Sequence, residues 1–482
     1  MTKNLIKNSF YYTILGFLPL SFAFIFTPIY LTYLNESEYG TLNLFVLYSG
    51  FLVKIYGLGI PNAFNFFYWD VYKDKNKLDA LISSVLGLLI SLQIVFILLG
   101  LFFGKSILAF LIKSSDKFTD NPIFISALLF SAFMVYYEMF LYFFRNRANL
   151  KSYAILSVST LIMLTLGTFT GVVVFDLKAV GAILGRTFGY GVVISCFLIY
   201  FIFKHGITIN FSKSKELFSF GIPLFINALI GALCYGIDRI IIERFDTLEN
   251  VGIYSFALVI ISLIETCFTA LNNALSPTLF RLIKESLHDK VDEIKTLSQT
   301  IIIVITFLIA IIVALVHPLF EFIIPENYQG AATYIPILAF AFMWRVFTSL
   351  YTYPFYIKKQ TRYLLLNQSI NLIVTVALGY WGYRMFGITG VVMALYIVKI
   401  IEFVIIYLIS KKIMDLPFEI KKYIVLAFLM GICSFIITYL DNTLNKYLTY
   451  CIPLLILFIT TPILLKKEIM SLFQSFKLKK II

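Results

Sequence analysis

The chain has 482 residues, of which 60% are hydrophobic, 17% aromatic and 13% charged, and its formal net charge is +13. A soluble domain carries about 45–50% apolar and about 25% charged residues. These values exclude a water-soluble globular protein and predict an all-α polytopic membrane protein, because an apolar helix of about 20 residues can cross a bilayer.

Fourteen apolar runs, each bounded by charged or turn-forming residues, predict fourteen transmembrane helices. In chain order these spans cover residues 11–34, 40–67, 79–103, 122–144, 152–175, 179–203, 217–242, 251–279, 298–320, 331–357, 363–383, 388–410, 421–440 and 447–465. The first run is long, contains Pro19 and Pro28, and is not followed by a small-residue cleavage site. We therefore expect no cleaved signal peptide.

Basic residues are distributed unevenly between alternate loops. Of the 39 Lys and Arg residues, 27 fall in one set of segments, which includes both termini, and 7 fall in the loops between them. Lys and Arg collect on the cytoplasmic side of membrane proteins. The pattern predicts a multi-pass protein of the bacterial inner (cytoplasmic) membrane with both termini cytoplasmic. An anionic inner leaflet accounts for the positive charge, so membrane lipids are expected partners and nucleic acid is not.

Similar segments recur about 212 residues apart, which suggests an internal duplication. Residues 33–40 resemble residues 245–252, Asn62 lies opposite Asn273, and residues 144–147 lie opposite 356–359. Two parallel six-span repeats place a substrate site between the halves. We therefore predict an N-terminal lobe over 1–210, a C-terminal lobe over 211–415, and an appendage over 416–482 that carries spans 13 and 14 and a basic tail. Chance similarity between hydrophobic helices is the alternative.

Charged residues inside the predicted spans are the candidate functional groups, because a charge at the bilayer centre costs at least about 2.5–3.5 kcal/mol. These residues are Lys54, Glu138, Arg186, Asp238, Arg239, Glu265, Arg345, Lys399 and Glu402. Lys54 and Glu265 occupy nearly equivalent positions in the two repeats, so they could line one central chamber. A structural salt bridge or a snorkelling lysine is the alternative for this pair.

For the other charged residues, the spacing along the helix predicts which side chains can contact each other. Lys399 and Glu402 are spaced i,i+3 on one helix, so we expect them to pair with each other. Asp238 and Arg239 are adjacent, so their side chains should diverge by about 100° and have separate partners. Glu138 lies near a helix end and could meet lipid headgroups.

Several uncharged residues are suited to packing or hydrogen bonding. Asn62 and Asn273 could bind sugar hydroxyls, and could equally form interhelical hydrogen bonds. Glycines at every fourth residue in spans 5 and 6 predict close helix packing. The three histidines lie far apart and the five cysteines form no CxxC pair. We therefore expect no metal site and no cofactor, and we interpret the cysteines as small core residues.

The segment Gly236-Ile237-Asp238-Arg239-Ile240-Ile241-Ile242, continuing to residues 251–257, resembles the span 7 to span 8 signature of polysaccharide biosynthesis proteins. These are the oligosaccharide and O-antigen flippases of the multidrug/oligosaccharidyl-lipid/polysaccharide (MOP) exporter superfamily. The Tyr39-Gly40 junction and the loop Arg145-Asn146-Arg147 are similar to that family as well. The resemblance implies a MATE-like fold of two six-helix lobes plus two extra C-terminal helices. It also implies a flippase that moves a polyprenyl-diphosphate-linked oligosaccharide, the repeat unit of a surface polysaccharide, from the inner to the outer leaflet by alternating access.

The resemblance, together with position in the spans, implies roles for individual residues. Lys54, Arg239 and Arg345 are expected to bind the diphosphate of the substrate. Asn62 and Asn273 are expected to bind the substrate as well. Those expected to orient substrate or couple transport to a proton or sodium ion are Asp238, Glu265 and Glu138. Other polysaccharide-assembly proteins are candidate partners, and no catalytic residue is expected.

Two other classes of protein remain as alternatives. A MATE-like drug or cation antiporter of the same superfamily should favour acidic cavity residues, whereas the spans here hold five basic and four acidic residues. A membrane-embedded polysaccharide polymerase or glycosyltransferase usually needs a large outer loop with catalytic carboxylates. The longest predicted outer segment, residues 104–121, contains only Asp116 and Asp120 as acidic residues.

Overall fold

The computed structural model describes Leu15, Phe22 and residues 26–440, apart from residues 112, 120, 288, 361 and 419. These residues form helices joined by short loops, and no strand occurs among them. The chain divides into two compact units at the junction between Gly252 and Ile253.

The described residues of the first unit form nine helices and the start of a tenth. They are α1 (residues 26–33), α2 (Glu36–Gly57), α3 (Ile60–Val71), α4 (Lys75–Leu111), α5 (Ser115–Thr119), α6 (Asn121–Asn146), α7 (Leu150–Phe169, extended by a π-helical turn, Thr170–Val174), α8 (Lys178–His205), α9 (Phe211–Phe245) and α10 (Leu248–Glu285). The second unit contains most of α10, then α11 (Val291–Phe322), a 3₁₀ helix (Glu326–Thr333), α12 (Ile335–Leu350), α13 (Tyr353–Ile357), α14 (Arg362–Ile413) and α15 (Lys421–Leu440).

The predicted all-α membrane fold is confirmed. Among the described residues, nine helices are long and apolar enough to span a membrane, or ten when the bent pair α2 and α3 is counted as one span. Each predicted span from the third to the thirteenth overlaps a helix or a helix arm, and the tenth, 331–357, is divided among the 3₁₀ helix, α12 and α13. The first span is described only in part, and span 14 at 447–465 lies outside the described residues. The total of fourteen therefore stays a prediction, as do the lobe boundaries.

The second predicted span is not continuous, which corrects the expectation of one helix over 40–67. Leu58 and Gly59 adopt left-handed backbone angles, with φ of 43° and 73°, and the two arms are bent by 46°. Gly59 lies directly against the backbone of Gly221 in α9, where any side chain would overlap. The bend therefore depends on a glycine that provides both the positive φ and the close approach.

Helix α14 is also interrupted, at the position where the sequence separates spans 11 and 12. Phe386 and Gly387 leave helical geometry, and Gly387 has a φ of 60°. The backbones of Gly382 and Gly390, on opposite sides of the break, are in direct contact. The two arms thus reverse and pack against each other.

Closely packed glycines join α7 to α8 in the first unit, as their spacing predicts. Gly167 lies against Gly185, and Gly171 lies against Gly181, so that backbone contacts backbone. Inside lipid, helices have no hydrophobic driving force to associate, so close van der Waals packing of this kind stabilises the contact between α7 and α8.

Replacing Gly185 with alanine should destabilise the first unit. A Cβ atom at this position would overlap the carbonyl oxygen of Gly167, and such overpacking costs about 1–3 kcal/mol. We expect a clear fall in the unfolding temperature of the detergent-solubilised protein. The matched control is Gly50→Ala, because a Cβ there meets no atom within 4 Å. Equal effects of the two substitutions would contradict this packing.

Aromatic residues join aliphatic ones in the core of the second unit. Helix α12 is almost entirely buried, and its Trp344 packs against Phe403 with the ring centroids 5.6 Å apart. Phe347 contacts the same ring at 5.7 Å. Helix α12 is therefore held firmly against the second arm of α14, which positions the polar residue Arg345 within the span.

The interpretation of the cysteines as core residues is wrong for Cys196 and Cys267, which are both exposed on the protein surface. In a membrane span, apolar residues on either side of a cysteine in the sequence do not imply that it is buried, because the lipid-facing surface is as hydrophobic as the core.

Candidate functional site

Lys54 and Glu138 form an ion pair between α2 and α6. The Lys54 Nζ atom lies 3.0 Å from Glu138 Oε1, and the two side chains are 33% and 31% exposed. Lys54 stands one turn before the bend between α2 and α3, where its carbonyl oxygen accepts a hydrogen bond from the Leu58 amide. Lys54 is thus salt-bridged rather than snorkelling, and Glu138 is engaged by this lysine.

Glu265 and Arg345 form a second ion pair, between α10 and α12. The Arg345 Nη2 atom lies 2.7 Å from Glu265 Oε1, with the side chains 41% and 31% exposed. The guanidinium also lies 5.3 Å from the ring centroid of Phe342, one turn earlier on the same helix. Arg345 therefore keeps two fixed contacts while nearly half of its side chain stays accessible.

The two ion pairs join corresponding helices of the predicted repeats with opposite polarity. Helices α2 and α6 are the second and fourth predicted spans, and α10 and α12 are the eighth and tenth. The cation is on the second span in one pair and on the tenth span in the other. Lys54 and Glu265, which the sequence places at equivalent positions, each have a partner within their own unit.

Asp238 and Arg239 are both buried in α9, with 5% and 7% of their surfaces exposed. The expectation that their side chains diverge is wrong, because Arg239 Nε lies 3.9 Å from Asp238 Oδ1. Asp238 Oδ1 accepts the Arg239 backbone amide at 2.8 Å, which turns the carboxylate toward its neighbour. Arg239 Nη2 donates to the carbonyl oxygen of Tyr235, and the guanidinium lies 5.0 Å from that ring's centroid.

The two predicted asparagine ligands differ in their surroundings. Asn62 Oδ1 accepts a hydrogen bond from the Tyr142 hydroxyl at 3.0 Å, so it joins α3 to α6. Asn65, one turn further on, accepts from Asn146 at 2.9 Å and continues the same interhelical row. Asn273 is exposed on α10. A role of Asn62 and Asn273 in substrate binding stays a prediction.

Lys399 and Glu402 pair with each other in the second arm of α14, as predicted. Their Nζ and Oε2 atoms are 2.7 Å apart. Asn371, in the first arm, donates to the same oxygen at 2.7 Å. This trio connects the two antiparallel arms and is a structural feature of the second unit.

Glu243, which lies next to the predicted outer end of span 7, has a role that the sequence does not indicate. Its side chain is almost fully buried, and its two carboxylate oxygens accept the backbone amides of Ser114 at 2.7 Å and Lys113 at 3.3 Å. Glu243 thereby attaches the segment before α5 to α9. Its ligands are backbone groups about 130 residues away, which no sequence pattern reveals.

Arg186 is a charged residue of the sixth predicted span for which the sequence indicates no role. In the structure it donates to the Tyr30 hydroxyl at 3.2 Å, and its guanidinium lies 5.1 Å from the ring centroid of Phe22. Within the described parts of the chain no carboxylate forms an ion pair with it. Cation–π contacts of this kind stabilise a guanidinium without neutralising its charge.

Comparison with known proteins identifies a family model and a common fold. The model described as "Polysaccharide biosynthesis protein" matches residues 5–283. No curated protein matches the sequence significantly. The structure is similar to the lipid II flippase MurJ in an inward closed conformation, with 16% identity, a TM-score of 0.68, and coverage of 96% of this chain and 98% of that one.

Transporters of the MATE family have the same fold. An inward-facing multidrug resistance MATE transporter of the MOP superfamily gives a TM-score of 0.66 at 14% identity, covering 81% of this chain and 94% of that one. The Vibrio cholerae MATE transporter VcmN in its bent form gives 0.53 at 15% identity, covering 85% and 96%. At these identities the likeness establishes the fold and not the substrate.

Proposed function

The chain belongs to the polysaccharide biosynthesis protein family, and we propose that it is a flippase for a polyprenyl-diphosphate-linked oligosaccharide. The polar head of this substrate, a repeat unit of a surface polysaccharide, is moved from the inner to the outer leaflet by alternating access. The protein acts in the bacterial inner membrane with both termini in the cytoplasm, beside other proteins of polysaccharide assembly. It is a transporter and not an enzyme.

The observation that carries this proposal is the partial exposure of two ion pairs within membrane spans. Lys54 with Glu138 and Glu265 with Arg345 each keep about a third of their side-chain surface accessible. Charges in contact with hydrocarbon are expensive, so such residues normally face a water-filled cavity or another polar surface. Both ion pairs are therefore proposed to border the polar path that the sugar and diphosphate take.

A diphosphate can compete with a carboxylate for the cation of each pair. Arg345 presents a planar fork that can bind two phosphate oxygens, whereas Lys54 offers a compact charge. When the phosphate binds, Glu265 or Glu138 loses its partner and becomes a site for a proton or a sodium ion. Substrate binding and ion binding are thereby coupled through the same two ion pairs.

The other predicted site residues have supporting roles in this proposal. Arg239, buried here beside Asp238, contacts the diphosphate in another state of the transport cycle, with Asp238 as the orienting group. Asn62 and Asn273 bind sugar hydroxyls. Asn62 can exchange its hydrogen bond with Tyr142 for one with a sugar hydroxyl, and the reverse exchange releases the sugar.

The deciding experiment is deletion of the gene, followed by determination of which leaflet holds the lipid-linked oligosaccharide. A flippase predicts accumulation of single repeat units in the inner leaflet. Accumulation of single units on the outer face would indicate a polymerase instead. If the lipid-linked oligosaccharide is unaffected and sensitivity to cationic drugs rises, the MATE-like antiporter that shares this fold is the correct function.

A further inference from the structure

A groove runs along the surface of the first unit between α6, α7 and α8. It consists of two cavities of about 860 Å³ and about 490 Å³, and Cys196 of α8 lines both of them. On α8 the lining extends from Leu184 to His205, which corresponds to about 30 Å at 1.5 Å per residue. That length matches the thickness of the hydrocarbon core of a bilayer.

The two parts of the groove differ in chemistry. The larger cavity is almost entirely apolar, with side chains such as Ile125, Leu129 and Phe188. The smaller cavity contains Arg147 and Lys204, and no carboxylate occurs among the described residues that line it. The groove is therefore apolar along most of its length and positively charged at one end. It is complementary to a lipid with apolar chains and a negatively charged headgroup.

The basic end is built from residues with defined contacts. Lys204 Nζ donates to the Tyr200 hydroxyl at 2.9 Å, and Arg147 lies 5.8 Å from the ring centroid of Phe143. His205 at the same end is engaged by Asp79, at 2.7 Å between Nδ1 and Oδ1. Arg147 and Lys204 are both exposed. Two cations are thus available at the side predicted to be cytoplasmic.

We infer that this groove binds an anionic phospholipid of the cytoplasmic leaflet. The headgroup phosphate lies between Arg147 and Lys204, and an acyl chain extends past Cys196 into the apolar cavity. Basic pockets between membrane helices on the cytoplasmic side bind such headgroups. Anionic lipids are abundant in that leaflet, so mass action fills a site of modest affinity. The inference is independent of the proposed function, because none of the ion pairs assigned to substrate lines the groove.

The test uses the purified full-length chain and native mass spectrometry. The probes are phosphatidylglycerol and phosphatidylcholine with identical acyl chains, and a polyprenyl phosphate. We expect phosphatidylglycerol to be retained in preference to phosphatidylcholine. Arg147→Gln combined with Lys204→Gln should weaken that retention about thirtyfold. The matched control is Arg281→Gln with Lys284→Gln, two exposed cations of the second unit, which should leave retention unchanged.

A second measurement locates the lipid without any substitution. Phosphatidylglycerol with a photoreactive group on its acyl chain should cross-link to peptides of α6 and α8. Equal retention of the two phospholipids, equal losses in the two double variants, or cross-links confined to other helices would each overturn the inference. Tighter retention of the polyprenyl phosphate than of phosphatidylglycerol would overturn it too, and would assign the groove to the carrier lipid.

Discussion

Arg345→Gln should reduce export of the surface polysaccharide strongly while the protein remains in the membrane. Glutamine retains hydrogen-bonding capacity but loses the charge and the forked geometry that a diphosphate requires. A hydrogen bond to a charged group is worth about 1.5–3 kcal/mol, so transport should fall at least about tenfold. The measurement is the amount of surface polysaccharide in a deletion strain that carries the variant, normalised to the protein in its membranes.

Two further variants separate a loss of binding from a loss of folding. Arg345→Gln leaves Glu265 without its 2.7 Å partner, which could itself destabilise the second unit. Arg345→Gln with Glu265→Gln removes both charges, so it should restore stability and still fail to export. Arg345→Lys keeps the charge and should retain partial activity. Normal export by the charge-free double variant would show that Arg345 does not bind the substrate.

Exchanging the charges of the other ion pair should restore the protein level without restoring transport. Lys54→Glu alone places two carboxylates where a 3.0 Å ion pair stood, and Glu138→Lys alone places two ammonium groups there. Each single variant should therefore reduce the amount of folded protein. The double exchange recreates the ion pair, but the cation now extends from α6 instead of α2.

The exchange decides between the two interpretations of Lys54. If the lysine binds the diphosphate, the exchanged protein is present at a normal level and exports at least about tenfold less polysaccharide. Export at the wild-type level would show that the ion pair is only structural. Thermal unfolding of the purified variants confirms that the ion pair has been rebuilt.

The positions of the helices could be predicted because hydropathy is a local property. The break near residue 384 between spans 11 and 12 was visible as a charged and glycine-containing interruption of the apolar run, and the structure places it at Phe386 and Gly387. The bend at Leu58 and Gly59 is marked in the sequence by Gly57, Gly59 and Pro61, but the apolar run continues through these residues, so hydropathy alone predicts one span.

Contacts between charged residues could likewise be predicted only when the residues are close together in the sequence. Lys399 and Glu402 are three residues apart, so helical periodicity alone predicts their contact. Glu138 lies 84 residues from Lys54, and helix periodicity cannot identify which spans are neighbours. Composition and position therefore pick out the charged residues of the spans as candidates, whereas their partners depend on which helices are neighbours in the fold.

The opposite polarity of the two ion pairs bears on how such a chain could arise. A dimer of identical six-span subunits would carry the same ion pair twice, with the lysine on the same helix in both copies. Joining two copies of a gene removes that constraint, since each half can then change alone. Lys54 with Glu138 in one half and Glu265 with Arg345 in the other form a combination that a dimer of identical subunits cannot carry. In the predicted duplication, joining the two copies frees each half to specialise.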